Sequence, residues 1–200
     1  MSSAEMYNGL KVLSSYHRKG GVGKTFLAST IAYLLATGGP DGTGKKRRVL
    51  VLDYDSQQDS SKAFLQMDAI PGDDEYAAPT HPDYKEINDP DWPGRNTSTD
   101  ILFDSPVYEY PTAFEGIKVL PSEGNVDRVL ALTPQSERLV STITSHMKDW
   151  FSIPDLAEDY DIIIVDNPPS KSPVSAGLLG AATHVIIPTE PEDDSIDGVP

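Results

Sequence analysis

A glycine-rich loop that carries two lysines and a threonine is the part of this chain best suited to phosphate chemistry. It reads K-G-G-V-G-K-T and covers residues 19–25, between an apolar run and a run of helical periodicity. A backbone that wraps a triphosphate turns several N–H groups inward and needs residues that accept a positive φ. Lys24 can then reach the β- and γ-phosphates, and the Thr25 hydroxyl can ligate Mg²⁺. The pattern predicts a P-loop, followed by a helix whose positive dipole end lies at the anion.

The nucleotide contacts predicted from this loop include the first residue beyond it, and they are Lys19, Gly20, Gly21, Val22, Gly23, Lys24, Thr25 and Phe26. The front lysine is an addition, because the general P-loop motif does not need it. The form x-K-G-G-x-G-K-[S/T] resembles the deviant Walker A motif of the ParA/MinD family of ATPases. The resemblance implies that Lys19 reaches across a dimer interface to the partner's nucleotide and that Lys19 and Lys24 are catalytic residues. A solvated loop cation is the alternative interpretation of Lys19.

A run of four apolar residues, 49–52, leads into the acidic segment D-Y-D-S-Q. Such a run is typical of a parallel strand buried on both faces, and ligands bind at the carboxyl ends of these strands. The segment resembles the family's D-x-D-P-Q, with Ser56 in place of the usual proline. The resemblance implies that Asp53 supports the magnesium shell and that Asp55 acts in catalysis by orienting the attacking water. The alternative for either aspartate is a cap on the next helix.

A second apolar strand, 161–166, ends in Asp166 and has the pattern of a Walker B motif. The residues after it, N-P-P-S, resemble the family's D-x-P-P-S switch, in which threonine is common at the position of Asn167. The resemblance implies that Asp166 holds Mg²⁺ together with Thr25 and Asp53. The predicted switch residues, which would respond to the γ-phosphate, are Asp55, Asp166, Asn167, Pro168 and Pro169. A plain strand-end turn is the alternative for Asp166.

Length and composition limit the class of protein. Two hundred residues allow one sizeable α/β domain, and the absence of cysteine excludes a disulfide scaffold, a thiolate zinc site and a cysteine-bound iron–sulfur cluster. The start of the sequence has no signal pattern, and no run approaches the roughly 18 apolar residues of a membrane span. The formal net charge of −15 makes the whole chain a poor electrostatic match for DNA. We expect a cytoplasmic protein, with nucleoid association added by the family resemblance.

Residues 66–116 interrupt the pattern of the domain. They hold 12 acidic and 2 basic side chains, seven of the 17 prolines and Trp92, with little periodicity. We expect an acidic, proline-rich insertion, extended and partly ordered on the surface, whose aromatic residues pack against the body or form a partner site. The basic cluster at 45–48 is interpreted as a solvated loop before a strand, with a nucleic-acid contact as the alternative.

The remaining segments predict a single P-loop ATPase domain over residues 1–200, built on a doubly wound, mainly parallel α/β sheet. Its strands are expected at 10–13, 49–52, 117–121, 161–166 and 184–188. Helices are expected at 25–36 and over most of 122–147. The core face of the first helix is expected to carry its large apolar residues, Leu27, Ile31, Leu34 and Leu35. A helix start at 191–196 has almost no chain after it, so we expect a domain that is incomplete, truncated at its C-terminus relative to the family.

The family resemblance implies an enzyme that binds ATP and Mg²⁺, forms a sandwich homodimer on ATP binding and hydrolyses ATP slowly. A ParB-like protein would stimulate hydrolysis, and the dimer would bind non-specific DNA to position or segregate plasmid or chromosomal DNA, or another large cargo. A MinD-like positioning ATPase is one alternative, with a membrane as the less favoured surface. The others are an ATP-dependent biosynthetic ligase or amidase-type enzyme on the same fold, and a nucleotide-gated scaffold that barely turns over.

Overall fold

A computed structural model describes the chain over residues 6–17, 19, 21–39, 44–72, 75–87, 89–124 and 137–189. The strands are β1 (Lys11–Ser15), β2 (Val49–Asp53), β3 (Asp68–Ala69), β4 (Tyr76–Ala77), β5 (Tyr110–Pro111), β6 (Ile117–Leu120), β7 (Ile162–Asp166) and β8 (His184–Ile186). The helices are α1 (Lys24–Thr37), α2 (Asp59–Phe64), α3 (Tyr84–Ile87), α4 (Thr99–Leu102), α5 (Glu137–Phe151), α6 (Pro154–Asp159) and α7 (Pro173–Ala181). A short 3₁₀ segment, Met6–Gly9, precedes β1.

A mainly parallel sheet forms the centre of the described structure. Its six strands lie in the order β5-β6-β2-β7-β1-β8, and within it β5 alone runs antiparallel to its neighbour. The central strand β2 is buried at every position, which explains its unbroken apolar sequence. The α/β fold predicted from the sequence is confirmed, and the parallel strands lie where the apolar runs placed them.

Alternate residues of each strand face opposite sides of the sheet, and helices cover both sides. On one side, Leu50 and Leu52 belong to a core cluster that includes residues of α5 and α7. On the other side, Val49 and Val51 belong to a cluster with residues of α1 and α2. The two layers fix the carboxyl ends of β1, β2 and β7 at one edge of the sheet, where the glycine loop and the acidic motifs begin.

The most buried residues of helix α1 against the sheet are alanines, not the larger apolar residues. Ala28, Ala32 and Ala36 recur every fourth residue and are between 0% and 4% exposed. The residues predicted as the core face are only partly buried, and they are Leu27, Ile31, Leu34 and Leu35. The prediction holds for Ile31 and Leu35, which pack against this core cluster, but the fully buried positions of the helix are alanines. Methyl side chains let a helix backbone approach the sheet closely, so the larger residues pack at the flanks of the contact.

Residues 66–116 carry more regular structure than the sequence predicted. They contain the β3–β4 hairpin, the helices α3 and α4, and β5, which extends the main sheet. Trp92 is 5% exposed, and its ring centroid lies 5.5 Å from that of His81, 5.8 Å from that of Tyr84 and 4.4 Å from that of Tyr108. These aromatic residues pack against one another, and Tyr110, whose ring lies 4.7 Å from that of His81, joins them to a core cluster of the main sheet, in agreement with packing against the body.

The helix predicted over most of 122–147 is only partly present in the described structure. Residues 122–124 are not helical, although the sequence predicted a helix over most of 122–147, and α5 covers Glu137–Phe151. Gly20, residues 125–136 and the predicted helix start at 191–196 lie outside the described residues. Among the helices that are described, none is long and apolar enough to cross a membrane.

Candidate functional site

The glycine loop enters α1 through residues in the left-handed conformation. Gly21 has a φ of 81°, and Gly23, the N-cap of α1, has a φ of 84°. A Cβ at either position would meet nothing within 4 Å, so glycine is required by backbone conformation and not by lack of space within the chain. The first N–H groups of a helix have no acceptor within it, so here they face the mouth of the loop. The predicted P-loop thus has the backbone geometry of an anion cradle.

The side chains of the loop differ in their exposure. Lys24 and Val22 are 5% and 8% exposed, whereas Phe26 is 76% exposed. Phe26 therefore turns its ring to solvent, and its backbone N–H is the group that lies in the first turn of α1. At the front of the loop, the backbone N–H of Lys19 donates to Nδ1 of the buried His17 at 3.0 Å. This bond fixes the start of the loop to the end of β1.

Asp53 and Asp166 meet at the carboxyl edge of the sheet. They are register partners of β2 and β7, and Ser15 of β1 is the partner of Asp166 on its other side. Both carboxylates are fully buried. Because the glycine loop follows β1, this loop and the two carboxylates lie at neighbouring strand ends.

The Asp53 carboxylate is engaged at both oxygens. Its Oδ2 accepts from the backbone N–H of Ser61 at 2.8 Å and from the Ser61 hydroxyl at 2.6 Å, and its Oδ1 accepts from the N–H of Asp55 at 3.0 Å. The helix-cap interpretation of Asp53 therefore describes one of its contacts, since Ser61 lies in the first turn of α2. Burial and the charge of Asp166 raise the pKa of Asp53, against these hydrogen bonds. Asp53 thus organises the turn that carries Asp55.

The Asp166 carboxylate is engaged at one oxygen. Its Oδ2 accepts from the Ser60 hydroxyl at 2.8 Å, while its Oδ1 is buried and has no hydrogen-bond partner in the described part of the chain. Burial raises the pKa of Asp166 and the charge of Asp55 adds to the shift, whereas the hydroxyls of Ser60 and Thr25 and the charge of Lys24 oppose it. Asp166 therefore offers one acceptor oxygen next to the lysine and threonine of the P-loop.

Asp55 lies two residues beyond β2 and is 7% exposed. Its Oδ1 accepts from the N–H of Gln57 at 3.0 Å, and its backbone oxygen accepts from the N–H of Gln58 at 2.9 Å. These bonds close the turn between β2 and α2, and the N-cap of α2 is Gln58 and not Asp55. The turn places Asp55 near enough to Asp166 for its charge to raise that pKa.

Asn167 fastens the predicted switch segment to β1. Its Nδ2 donates to the Ser14 hydroxyl at 2.6 Å and to the backbone oxygen of Ser15 at 2.8 Å. The side chain is fully buried, and Pro168 and Pro169 follow it directly. The end of β7 is therefore tied to the strand that leads into the P-loop.

Comparison with known proteins gives this geometry a family. A family model described as an AAA domain matches residues 10–200. The chromosome partitioning protein ParA of Myxococcus xanthus is 27% identical to the chain over 192 residues, which cover 94% of this chain and 55% of that protein. The chain belongs to the ParA-type family of partition ATPases.

Solved structures support the ParA-type fold of the chain. Apo McdA of Cyanothece has a TM-score of 0.66 at 21% identity, with 94% of this chain and 62% of that chain covered. Cobyrinic acid a,c-diamide synthase of Mycobacterium smegmatis, with bound ADP and magnesium, has a TM-score of 0.59 at 22% identity, with 90% and 59% covered. The ParA-type chain thus spans between about half and two thirds of the length of these three proteins.

Three residues of this ParA-type site were not predicted from the sequence. Ser60 and Ser61 hold Asp166 and Asp53, and Gln58 precedes them at the start of α2. The available signal was two adjacent hydroxyls directly behind the acidic motif. That signal is weak, because serine is common at helix starts for capping alone.

The ParA-type site fits a magnesium–nucleotide complex. Asp166 Oδ1 is a buried acceptor without a hydrogen-bond partner among the described residues, and it belongs to the carboxylate that Thr25 and Lys24 stabilise. Within the described ranges, no group of three His, Cys, Asp or Glu side chains could hold a metal ion by itself. The acceptor oxygen of Asp166 suits Mg²⁺, which keeps several waters and takes further ligands from phosphates.

Proposed function

We propose that the chain binds ATP with Mg²⁺ and hydrolyses it slowly. The observation that carries this proposal is the position of the glycine cradle at the end of β1, next to the paired carboxylates Asp53 and Asp166. The loop N–H groups and Lys24 bind the phosphates, and Thr25 and Asp166 hold the metal. Mg²⁺ supplies charge neutralisation to the transferred phosphoryl group. Asp53 takes a supporting part, because its own oxygens already bind Ser61 and Asp55.

Within this proposal Asp55 orients the attacking water. Its carboxylate is buried beside Asp166 and is held by the N–H of Gln57, so it enters the reaction with its orientation already set. Positioning of this kind is what phosphoryl transfer asks of a protein, since the transition state needs little proton removal.

The proposal extends to an ATP-gated dimer that positions or segregates DNA or another large cargo. ATP assembles two copies, Lys19 of each copy reaches the other's nucleotide, and a ParB-like protein stimulates hydrolysis. The front lysine, and the role in chromosome partitioning for which the Myxococcus xanthus relative is named, support this extension. A cytoplasmic location, with association to the nucleoid, belongs to the same proposal.

The basic cluster at residues 45–48 does not support DNA binding by the described part of the chain. Lys46 pairs with Glu115 at 3.4 Å, and Arg48 pairs with Asp161 at 3.5 Å. Charges that are matched within the chain release few counterions on binding a duplex. The solvated-loop interpretation of this cluster is therefore the better one.

A biosynthetic enzyme is the second candidate, favoured by the likeness to the diamide synthase. Such an enzyme hydrolyses ATP only when a small acceptor is present, whereas a partition ATPase needs no acceptor. The test is phosphate release by purified protein with ATP and Mg²⁺ alone, together with its mass by light scattering in ATP and in ADP. Slow release and a dimer specific to ATP support the proposal, and a monomer that releases no phosphate contradicts it.

A further inference from the structure

Helix α2 holds both carboxylates of the proposed ATP site. The Ser60 hydroxyl donates to Asp166 at 2.8 Å and the Ser61 hydroxyl donates to Asp53 at 2.6 Å. Both serines are fully buried. A hydroxyl that binds a buried carboxylate limits its rotation, so the placement of α2 sets the orientation of the two carboxylates.

The side-chain amide of Gln58, the residue directly before α2, forms hydrogen bonds with two other segments of the chain. Its Nε2 donates to the backbone oxygens of Tyr76 at 2.8 Å and of Ser122 at 2.9 Å, and its Oε1 accepts from the N–H of Tyr76 at 3.3 Å. Gln58 is 2% exposed and has a φ of 59°. This left-handed conformation is energetically unfavourable for residues other than glycine. The hydrogen bonds of the amide hold the residue in place against that cost.

The insertion 66–116 contacts this region at a second point. The Ser98 hydroxyl donates to the backbone oxygen of Asp53, and the Tyr54 hydroxyl donates to the backbone oxygen of Ser98 at 2.9 Å. Ser122 closes the network, because its N–H donates to the Ser61 hydroxyl at 2.8 Å. The end of β2 and the start of α2 are therefore enclosed by the insertion, through Tyr76 and Ser98, and by the loop after β6.

The geometry points to a role for the insertion in the ATP site: it positions Asp53 and Asp166 through Gln58, Ser60 and Ser61. These three are positioning residues, since they act through the carboxylates and not on the nucleotide. The inference rests on the proposed ATP-binding function. It adds that the insertion orients the carboxylates on the metal-binding side of the site. Its consequence is that the affinity gained from Mg²⁺ depends on the contact between Gln58 and β4.

The test compares ADP affinity, by calorimetry, with Mg²⁺ and with the metal removed by chelation. Gln58→Gly relieves the positive φ and removes the amide, and Gln58→Glu keeps the size but cannot donate to Tyr76 and Ser122. Both variants are expected to reduce the gain in affinity from Mg²⁺ about tenfold and to leave the metal-free affinity within about twofold. Gln66→Gly is the matched control, because Gln66 is exposed in the loop after α2, and it should behave as the unchanged chain.

The Ser60→Ala variant completes the design. Alone it should reduce the gain in ADP affinity from Mg²⁺ as Gln58→Gly does. The double variant, Gln58→Gly with Ser60→Ala, should lose no more of this gain than Ser60→Ala alone, since both changes act on the same carboxylate contacts. A Mg²⁺ gain equal to that of the unchanged chain in both Gln58 variants overturns the inference. So does an equal loss with and without metal, which would mark Gln58 as a residue of stability alone. An unchanged chain that binds no ADP overturns the proposed function, and the inference with it.

Discussion

Asp53 and Asp166 lie side by side as register partners at the carboxyl ends of β2 and β7, and both are fully buried. Two neighbouring carboxylates in a buried place repel each other, and the charge of Asp166 contributes to the raised pKa of Asp53. The charge of Lys24 favours the ionised form of Asp166. The lysine of the glycine loop therefore stabilises the charge of a carboxylate of the protein itself.

Lys24→Ala is expected to lower ATP affinity at least about 100-fold, because it removes a buried cation that pairs with phosphate oxygens. Calorimetric titration with a non-hydrolysable ATP analogue measures the change. Lys85→Ala, on α3, is the control. Retained affinity in Lys24→Ala would contradict the P-loop assignment.

Lys19→Ala is expected to keep ATP affinity within about fivefold and to lose the ATP-dependent dimer. The reason is that Lys19 would act on the partner's nucleotide, where its charge makes association depend on the γ-phosphate. Light scattering in ATP gives the mass of each form. Lys46→Ala removes an exposed lysine away from the loop and should dimerise as before. Equal dimer formation in Lys19→Ala would remove the role in trans.

Asp55→Asn is expected to reduce turnover at saturating ATP about 100-fold while ATP affinity changes by less than about threefold. The amide oxygen can still accept from Gln57, so the turn is kept, but the charge that orients the water is lost. Phosphate release at a series of ATP concentrations separates the two effects. Asp59→Asn, an exposed acid on α2, should leave both unchanged. Undiminished turnover in Asp55→Asn would show that Asp55 has no part in hydrolysis.

Gly177→Ala is expected to lower the free energy of unfolding by about 1–3 kcal/mol, because a Cβ there would lie 2.7 Å from Cβ of Ile143, where α7 crosses α5. Gly180→Ala is the matched change on the same helix. Its Cβ would lie 3.0 Å from the Thr144 hydroxyl, which can rotate, so the cost should be smaller. Urea denaturation of both variants checks the order, and a larger loss in Gly180→Ala would be inconsistent with it.

Asp161→Asn is expected to lower stability at pH 7 by about 1 kcal/mol, and the loss should shrink as the solution is made more acidic than the ordinary pKa of an aspartate. Partial burial works to raise the pKa of Asp161, but the hydrogen bonds and charge of Arg48 outweigh it and bring the pKa below its ordinary value. A depressed pKa gives stability that is present above the pKa of the unfolded chain and is lost as pH falls through the folded value. Urea denaturation across this range measures it. A difference between the two proteins that does not shrink in acid would refute the assignment.

The parallel strands could be predicted from the sequence because strands buried on both faces are continuous apolar runs. The run before Asp53 and the run before Asp166 needed no information beyond their own residues. It also followed that both aspartates lie at one edge, since the carboxyl ends of parallel strands share it. Their pairing in register was not predicted, because the order of the strands in the sheet was not predicted. The fold and the centre of the candidate site were thus within reach of pattern and resemblance.

The contacts of α2 were out of reach because they depend on distance in space. Ser60 contacts Asp166, which lies 106 positions further along the chain. Gln58 binds the insertion, for which the family resemblance gives no guidance. Polar residues at a helix start carry no periodicity that would distinguish a cap from a ligand of a buried carboxylate. The roles of these residues could be recognised only from the three-dimensional structure.

At its three most buried positions, Ala28, Ala32 and Ala36, helix α1 presents only a methyl group to the core that it shares with the strands. An isopropyl group at the middle position would act as a wedge that lifts the helix axis, and the axis carries Lys24 at its first turn. The height of Lys24 above the sheet is therefore set by side chains that have no functional group at all.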